Sequence, residues 1–163
     1  MSSDVRFERR MSDSDALMWF IENDPALRST ITTLTVLDRP PSHAGLLEKA
    51  ERPLLYAGGG INNSDAADEL RAFAARFGIP VVTTLLGIGA IDTTDDLSLR
   101  MLGMHGTAFA NYAVEDCDFL FAVGSRFDDR VAGKVKEFAP NAKIAHLDVD
   151  ASEIGKVKNV EWA

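Results

Sequence analysis

The chain has 163 residues, 46% of them hydrophobic, which suits one soluble domain with its own core. Its formal net charge of −8 sets it against nucleic acid and anionic lipid as partners, so an anionic ligand has to be held by local donors. The single cysteine, Cys117, rules out an internal disulfide, and no apolar run nears the roughly 20 residues that span a bilayer. The opening "MSSDVRFERRMSDSD" lacks the apolar stretch of a secretory signal, so a cytoplasmic protein is expected.

In chain order, residues 1 to 11 are polar and read as a loose tail. "SDSDALMWFIENDP" carries a helix start, with Ser12 or Ser14 as cap and Asp13 and Asp15 at the positive end of the dipole. Pro25 ends that pattern. "STITTLTVL" (29 to 37) is rich in β-branched residues and predicts a strand, which Pro40 and Pro41 stop. "SHAGLLEKA" reads as a short helix end. "RPLLYA" is the continuous apolar run of a buried parallel strand, and "GGGINN" reads as a turn. "SDAADELRAFAARF" sets Ala66, Leu70, Phe73, Ala74 and Phe77 at helical spacing, with Ser64 as cap and Gly78 at the end. "IPVVTTLL", "DFLFAVG" and "KIAHLDVD" predict three more strands and "NVEWA" a short fifth, with a helix over "GTAFANYAVEDC". Strands alternating with helices predict a parallel sheet covered on both faces.

Several clusters are candidates for ligand contact. "YAGGGINNSD" lies at a strand-to-helix turn, where nucleotides bind, but Asn63 stands in place of the third glycine of GxGxxG. Asp65, Asp68 and Glu69 would repel a pyrophosphate there, so an NAD-type site is not expected. The plain alternative is a tight strand-helix turn, and its glycines still let a flat ligand approach the backbone. In "MLGMHGTAFAN", Gly103 to Thr107 precede a helix without acidic residues until Glu115, so its free N–H groups are an anion candidate. His105 alone reads more readily as a packing or surface histidine than as a catalytic one, and no second His, Cys or carboxylate stands at metal-ligand spacing. In "VGSRFDDRV", Arg126 and Arg130 suit a phosphate, held by Asp128 and Asp129; a solvated ion-pair loop is the alternative. Asp148 and Asp150 end a strand, as a ribose-hydroxyl acceptor or a simple turn. Cys117 reads as a small core residue.

Taken together, "RPLLYAGGGINNS", "GIPVVTTLLGIGA", "MLGMHGTAFANYAV" and "VGSRFDDRVAGK" resemble the central domain of the acetohydroxyacid (acetolactate) synthase catalytic subunit, from about Ala50 to Ala163. That resemblance implies an α/β, Rossmann-like parallel sheet with helices on both faces. It implies a thiamine-diphosphate- and Mg2+-dependent enzyme of branched-chain amino acid biosynthesis, condensing pyruvate with a second 2-keto acid. The domain so implied holds FAD in a largely structural role. Carried over by matching position, the FAD contacts are Gly58, Gly59 and Gly60; Thr84, Leu85 and Leu86; Leu102, Gly103, Met104 and His105; Gly124, Ser125, Arg126, Asp128, Arg130 and Val131; and Asp148 and Val149. Met104, Asp129 and Arg130 would also border the channel to the active site. The family's catalytic glutamate lies in the preceding domain, and its GDG metal and diphosphate motif in the following one. No GDG occurs in this chain, so no catalytic or metal-binding residue is assigned.

Residues 6 to 41, with "RMSDSDALMW" and "LRSTITTLTVLDR", resemble instead the opening segment of bacterial wax ester synthase/diacylglycerol acyltransferases. The HHxxxDG motif of that family is absent. The expected organisation is therefore an acyltransferase-like helix-strand segment over 1–41, weakly docked or disordered, followed by the central domain over 42–163 without its closing helix. The seam falls between Pro41 and Ala50. Three functions follow as expectations: a synthase piece with at most FAD binding, an acyltransferase piece, or a non-catalytic module pairing with full-length synthase subunits.

Overall fold

A computed structural model describes residues 46–127, 135–161 and 163. The helix and strand expected before Pro41, and the segment 1–41 as a whole, lie outside the described residues. So do Asp128, Asp129, Arg130 and Val131 of the arginine loop, and Trp162.

The elements are α1 (Leu46–Lys49), β1 (Pro53–Ala57), α2 (Gly59–Asn63), α3 (Ala67–Phe77), β2 (Val81–Thr83), β3 (Ser98–Met101), α4 (Ala108–Asp116), β4 (Phe119–Val123) and β5 (Lys143–Leu147). The strands form one five-stranded sheet in the order β3-β2-β1-β4-β5. Every pairing is parallel. The chain winds outward from β1 to β3 on one side, then returns to lay β4 and β5 on the other. The direction therefore reverses between β1 and β4.

Alternation along each strand builds two cores. Leu55, Ala57, Val81, Phe119, Phe121, Val123, Ala145 and Leu147 face one side, packed with Leu70, Phe73 and Ala74 of α3. Leu54, Tyr56, Val82, Leu120, Ala122 and Ile144 face the other, against Ala110 and Val114 of α4 and the rings of Phe127 and Phe138. Because both faces are covered, β4 is buried at every position, as its unbroken apolar run requires. The α/β architecture with helices on both faces is thus as the sequence predicts.

Three local expectations are corrected. "GGGINN" is not a plain turn but the short helix α2. Ser64 does not cap α3: its hydroxyl donates back to Gly60 O at 2.8 Å and ends α2, leaving Ala66 at the N-cap without a side-chain bond. The fifth strand is Ser98–Met101, not "NVEWA", where Glu161 N–H donates to Ile144 O without a described strand forming. At the far end of α3, Gly78 takes the left-handed cap at φ 64°, as expected of it.

Candidate functional site at the carboxyl edge of the sheet

Each cluster singled out in the sequence begins one residue after a strand ends: Gly58 after β1, Thr84 after β2, Leu102 after β3, Gly124 after β4 and Asp148 after β5. In an all-parallel sheet this brings them to one edge, the carboxyl edge, where open α/β sheets bind ligands. The junctions are held in register by backbone bonds that extend the ladder. Thr84 N–H donates to Ala57 O, Gly58 to Val123 O, Gly124 to Leu147 O and Leu102 to Thr83 O, at 2.8 to 3.1 Å.

At the reversal point the crevice between β1 and β4 is shut by backbone. Gly60 N–H donates to Gly124 O at 2.9 Å. A Cβ on Gly58 would lie 2.1 Å from Gly124 O, and one on Gly60 2.6 Å from Gly124 Cα. Gly124 itself stands at φ 57°. These glycines admit another loop of the same chain, not a flat ligand, which corrects one reading of "GGGINN". Gly59 likewise faces Leu86 Cβ. Any ligand therefore lies over this rim and not down the crevice.

The "MLGMHGT" loop is also closed on itself. Gly103 N–H donates to Asn111 Oδ1 at 2.8 Å, and Asn111 Nδ2 returns a bond to Gly103 O. Gly106 N–H donates to Gly103 O and Thr107 N–H to Met101 O. The Thr107 hydroxyl caps α4 by accepting from Ala110 N–H at 3.2 Å. The Gly103, Gly106 and Thr107 donors that the sequence offered to an anion are thus committed within the loop.

What the rim presents outward is apolar. Leu85, Leu86 (75% exposed), Ile88, Met104 (81%) and Val149 (76%) are large hydrophobic side chains left in solvent. His105 and Arg126 are exposed as well. Leu102 and Ser125 are buried, so their side chains serve the core: Leu102 packs with Tyr56 and Val82, and Ser125 Oγ donates to Tyr56 O. Asp148 Oδ1 accepts from Asp150 N–H in a turn, and Asp150 accepts from Ser152. The turn alternative thus describes both Asp148 and Asp150.

Sequence reasoning missed the residues that hold these loops. Asn62 Nδ2 donates to Leu86 O and Ile88 O at 2.8 and 3.0 Å. Arg71 reaches Ala90 O and Gly89 O from α3. Both fix the loop that carries Leu85 and Leu86. Nothing in their spacing marks them, because their acceptors are backbone carbonyls distant in sequence. Cys117 is a core residue, as expected; burial pushes its thiol up to about 12, so it is protonated and inert at neutral pH.

Among the described residues, no group of three or more His, Cys, Asp or Glu is placed to hold a metal ion. No described helix is long and apolar enough to cross a membrane. A cavity of about 490 Å³ lies at the opposite, amino edge of the sheet, lined by residues including Leu47, Pro53, Phe77, Pro80, Leu99 and Cys117. None of the sequence-predicted site residues lines it.

The chain is 56% identical over 118 residues to the acetolactate synthase large subunit of Parasynechococcus marenigrum, covering 72% of this chain and 19% of that protein. It is 57% identical over 129 residues to the probable acetolactate synthase 2, chloroplastic, of Oryza sativa subsp. japonica, covering 75% and 19%. The acetolactate synthase large subunit of Corynebacterium glutamicum is 54% identical over 116 residues, covering 71% and 18%. The chain thus spans less than a fifth of the length of these relatives. The family described as thiamine pyrophosphate enzyme, central domain, matches residues 42–163, and the chain belongs to that family.

Proposed function

We propose that this chain serves as the flavin-holding central domain of an acetolactate synthase large subunit. One observation carries the reading: Leu85, Leu86, Met104, Arg126 and Val149 are all exposed in the loops that follow the strands at the carboxyl edge. Such a surface suits a ligand with a flat apolar ring and an anionic tail, as FAD has. The residues fit the group. The apolar side chains would meet the ring, and Arg126, with Arg130 from outside the described residues, would pair with the diphosphate. Gly58, Gly59, Gly60, Gly103 and Gly124 would shape the loops behind it, and Asp148 would accept from a ribose hydroxyl. Met104, Asp129 and Arg130 would border the approach to the reacting centre.

Thiamine diphosphate and Mg2+ supply the carbon–carbon bond-forming chemistry of the proposed whole enzyme. This chain's part is to hold and orient, because it carries no GDG motif and no group assigned to act on thiamine. Its partners would be the remaining domains of such a synthase, or full-length subunits, in a reducing cytoplasm. The exposed Phe109 and Tyr112 on α4 favour pairing of this kind. The start of the family match at residue 42 supports a boundary after Pro41. The acyltransferase resemblance of residues 6–41 adds no chemistry, since the three histidines stand singly.

Titrating FAD into the purified chain tests the reading. Saturable quenching of flavin fluorescence is expected, and Arg126→Ala should weaken it roughly ten-fold or more, the loss of a charge-assisted bond. No change in flavin fluorescence at any concentration would overturn it.

A further inference from the structure

Three successive carbonyls after β4 all point into protein. Gly124 O accepts from Gly60 N–H at 2.9 Å. Ser125 O lies 2.9 Å from His146 Nε2. Arg126 O accepts from the Tyr56 hydroxyl at 3.1 Å. The donors come from α2, β5 and β1, so three elements grip one short loop. A carbonyl only accepts, so Nε2 of His146 bears the proton and Nδ1 is the bare nitrogen.

His146 is fully buried at 0% exposure, and its Nδ1 has no partner among the described residues. A buried nitrogen without a partner is a standing cost that an aliphatic side chain would avoid. What the imidazole supplies in return is the bond to Ser125 O. Its ring also meets Phe127 edge-on at 5.2 Å, and Phe127 lies 5.7 Å from Tyr56. Both donors and the loop therefore share one aromatic cluster behind the rim.

We infer that His146 and Tyr56 are positioning residues that turn the Ser125 and Arg126 carbonyls into the core, so that an anionic ligand meets the Arg126 guanidinium without those oxygens. This rests on the reading of the rim as a flavin diphosphate site. A carbonyl oxygen carries partial negative charge and, turned outward, would repel the phosphates that Arg126 attracts. Neither positioning residue touches the ligand, since both are fully buried.

The test uses the full chain as wild type, His146→Leu, His146→Gln and Tyr56→Phe, with FAD affinity and amide hydrogen exchange at 124–127 read on each. His146→Leu and Tyr56→Phe should weaken FAD binding about ten-fold and speed exchange of the Gly124 amide. His146→Gln, whose amide can donate to Ser125 O, should return affinity to within about three-fold of wild type. Wild-type affinity and exchange in His146→Leu would overturn the inference, as would a glutamine variant no better than the leucine one. If the wild type binds no FAD, the flavin reading fails by itself, and exchange still decides the positioning role. A loop loosened in His146→Leu and Tyr56→Phe but not in His146→Gln upholds it; unchanged exchange overturns it. Should His146→Leu fail to fold, Tyr56→Phe keeps its ring and decides.

Discussion

Gly58 sits where a single added carbon would strike the carbonyl of Gly124 at 2.1 Å. Both partners are backbone and cannot swing aside, so Gly58→Ala should lose about 3 kcal/mol or more of stability, measured by urea unfolding. The run of three glycines marks a close approach in the sequence, but not what approaches. That depends on β4 lying beside β1, a pairing between residues more than 60 positions apart. His146 was equally hard to read, since a lone histidine in an apolar strand carries no sign of its acceptor. Burial holds its imidazole below the ordinary value near 6.5, and the bond to Ser125 O with the Asp148 and Glu153 carboxylates only partly offsets that. The unfolded chain thus takes up a proton near 6.5 while the folded chain does so only at lower pH. The stability linked to this group is complete above about 6.5 and is lost as pH falls from there through the folded value. Urea midpoints from pH 7.5 down to 5 should decline in the wild type and decline less in His146→Gln.

At the scale of elements, those with strong patterns were legible. β1, β4 and β5 read as apolar runs, α3 as a helical stripe ending at Gly78, and α4 as a helix entered through Thr107. β3 was not legible. It is an edge strand, half-buried along Ser98–Met101, with Arg100 exposed at φ 64°. The register shifts between Val81 and Val82 where it pairs with β2. A short edge strand with a charged residue and a bulge shows neither a continuous apolar run nor clean alternation. "NVEWA" has the composition of a strand, but the described residues make a single bond to β5, from Glu161 to Ile144. Thr107 does two tasks at the rim: it caps α4 through Ala110 N–H and donates to Leu99 O at 3.0 Å, tying the helix to β3. Thr107→Ala should cost about 1 kcal/mol or somewhat more in urea unfolding, whereas Thr107→Ser should recover most of it.

Across the whole molecule, the parallel topology separates two edges. The carboxyl edge gathers five loops, their exposed apolar side chains and Arg126, within a chain of net charge −8 that otherwise opposes anions. The amino edge has the cavity lined by Leu47, Phe77 and Cys117. Sequence placed the candidate residues at strand ends, and parallel pairing then put those ends together. The orientation of the glycines and the internal closure of the "MLGMHGT" loop depend on contacts across the sheet, so sequence alone did not show them. The central claim is that the carboxyl edge is the flavin surface of a synthase central domain. Backbone amide NMR of the chain titrated with FAD tests it most directly. The account predicts shifts at Leu85, Leu86, Met104, Arg126 and Val149, with Leu47, Phe77 and Cys117 unmoved. Shifts confined to the amino-edge residues, or none at saturating FAD, would contradict it.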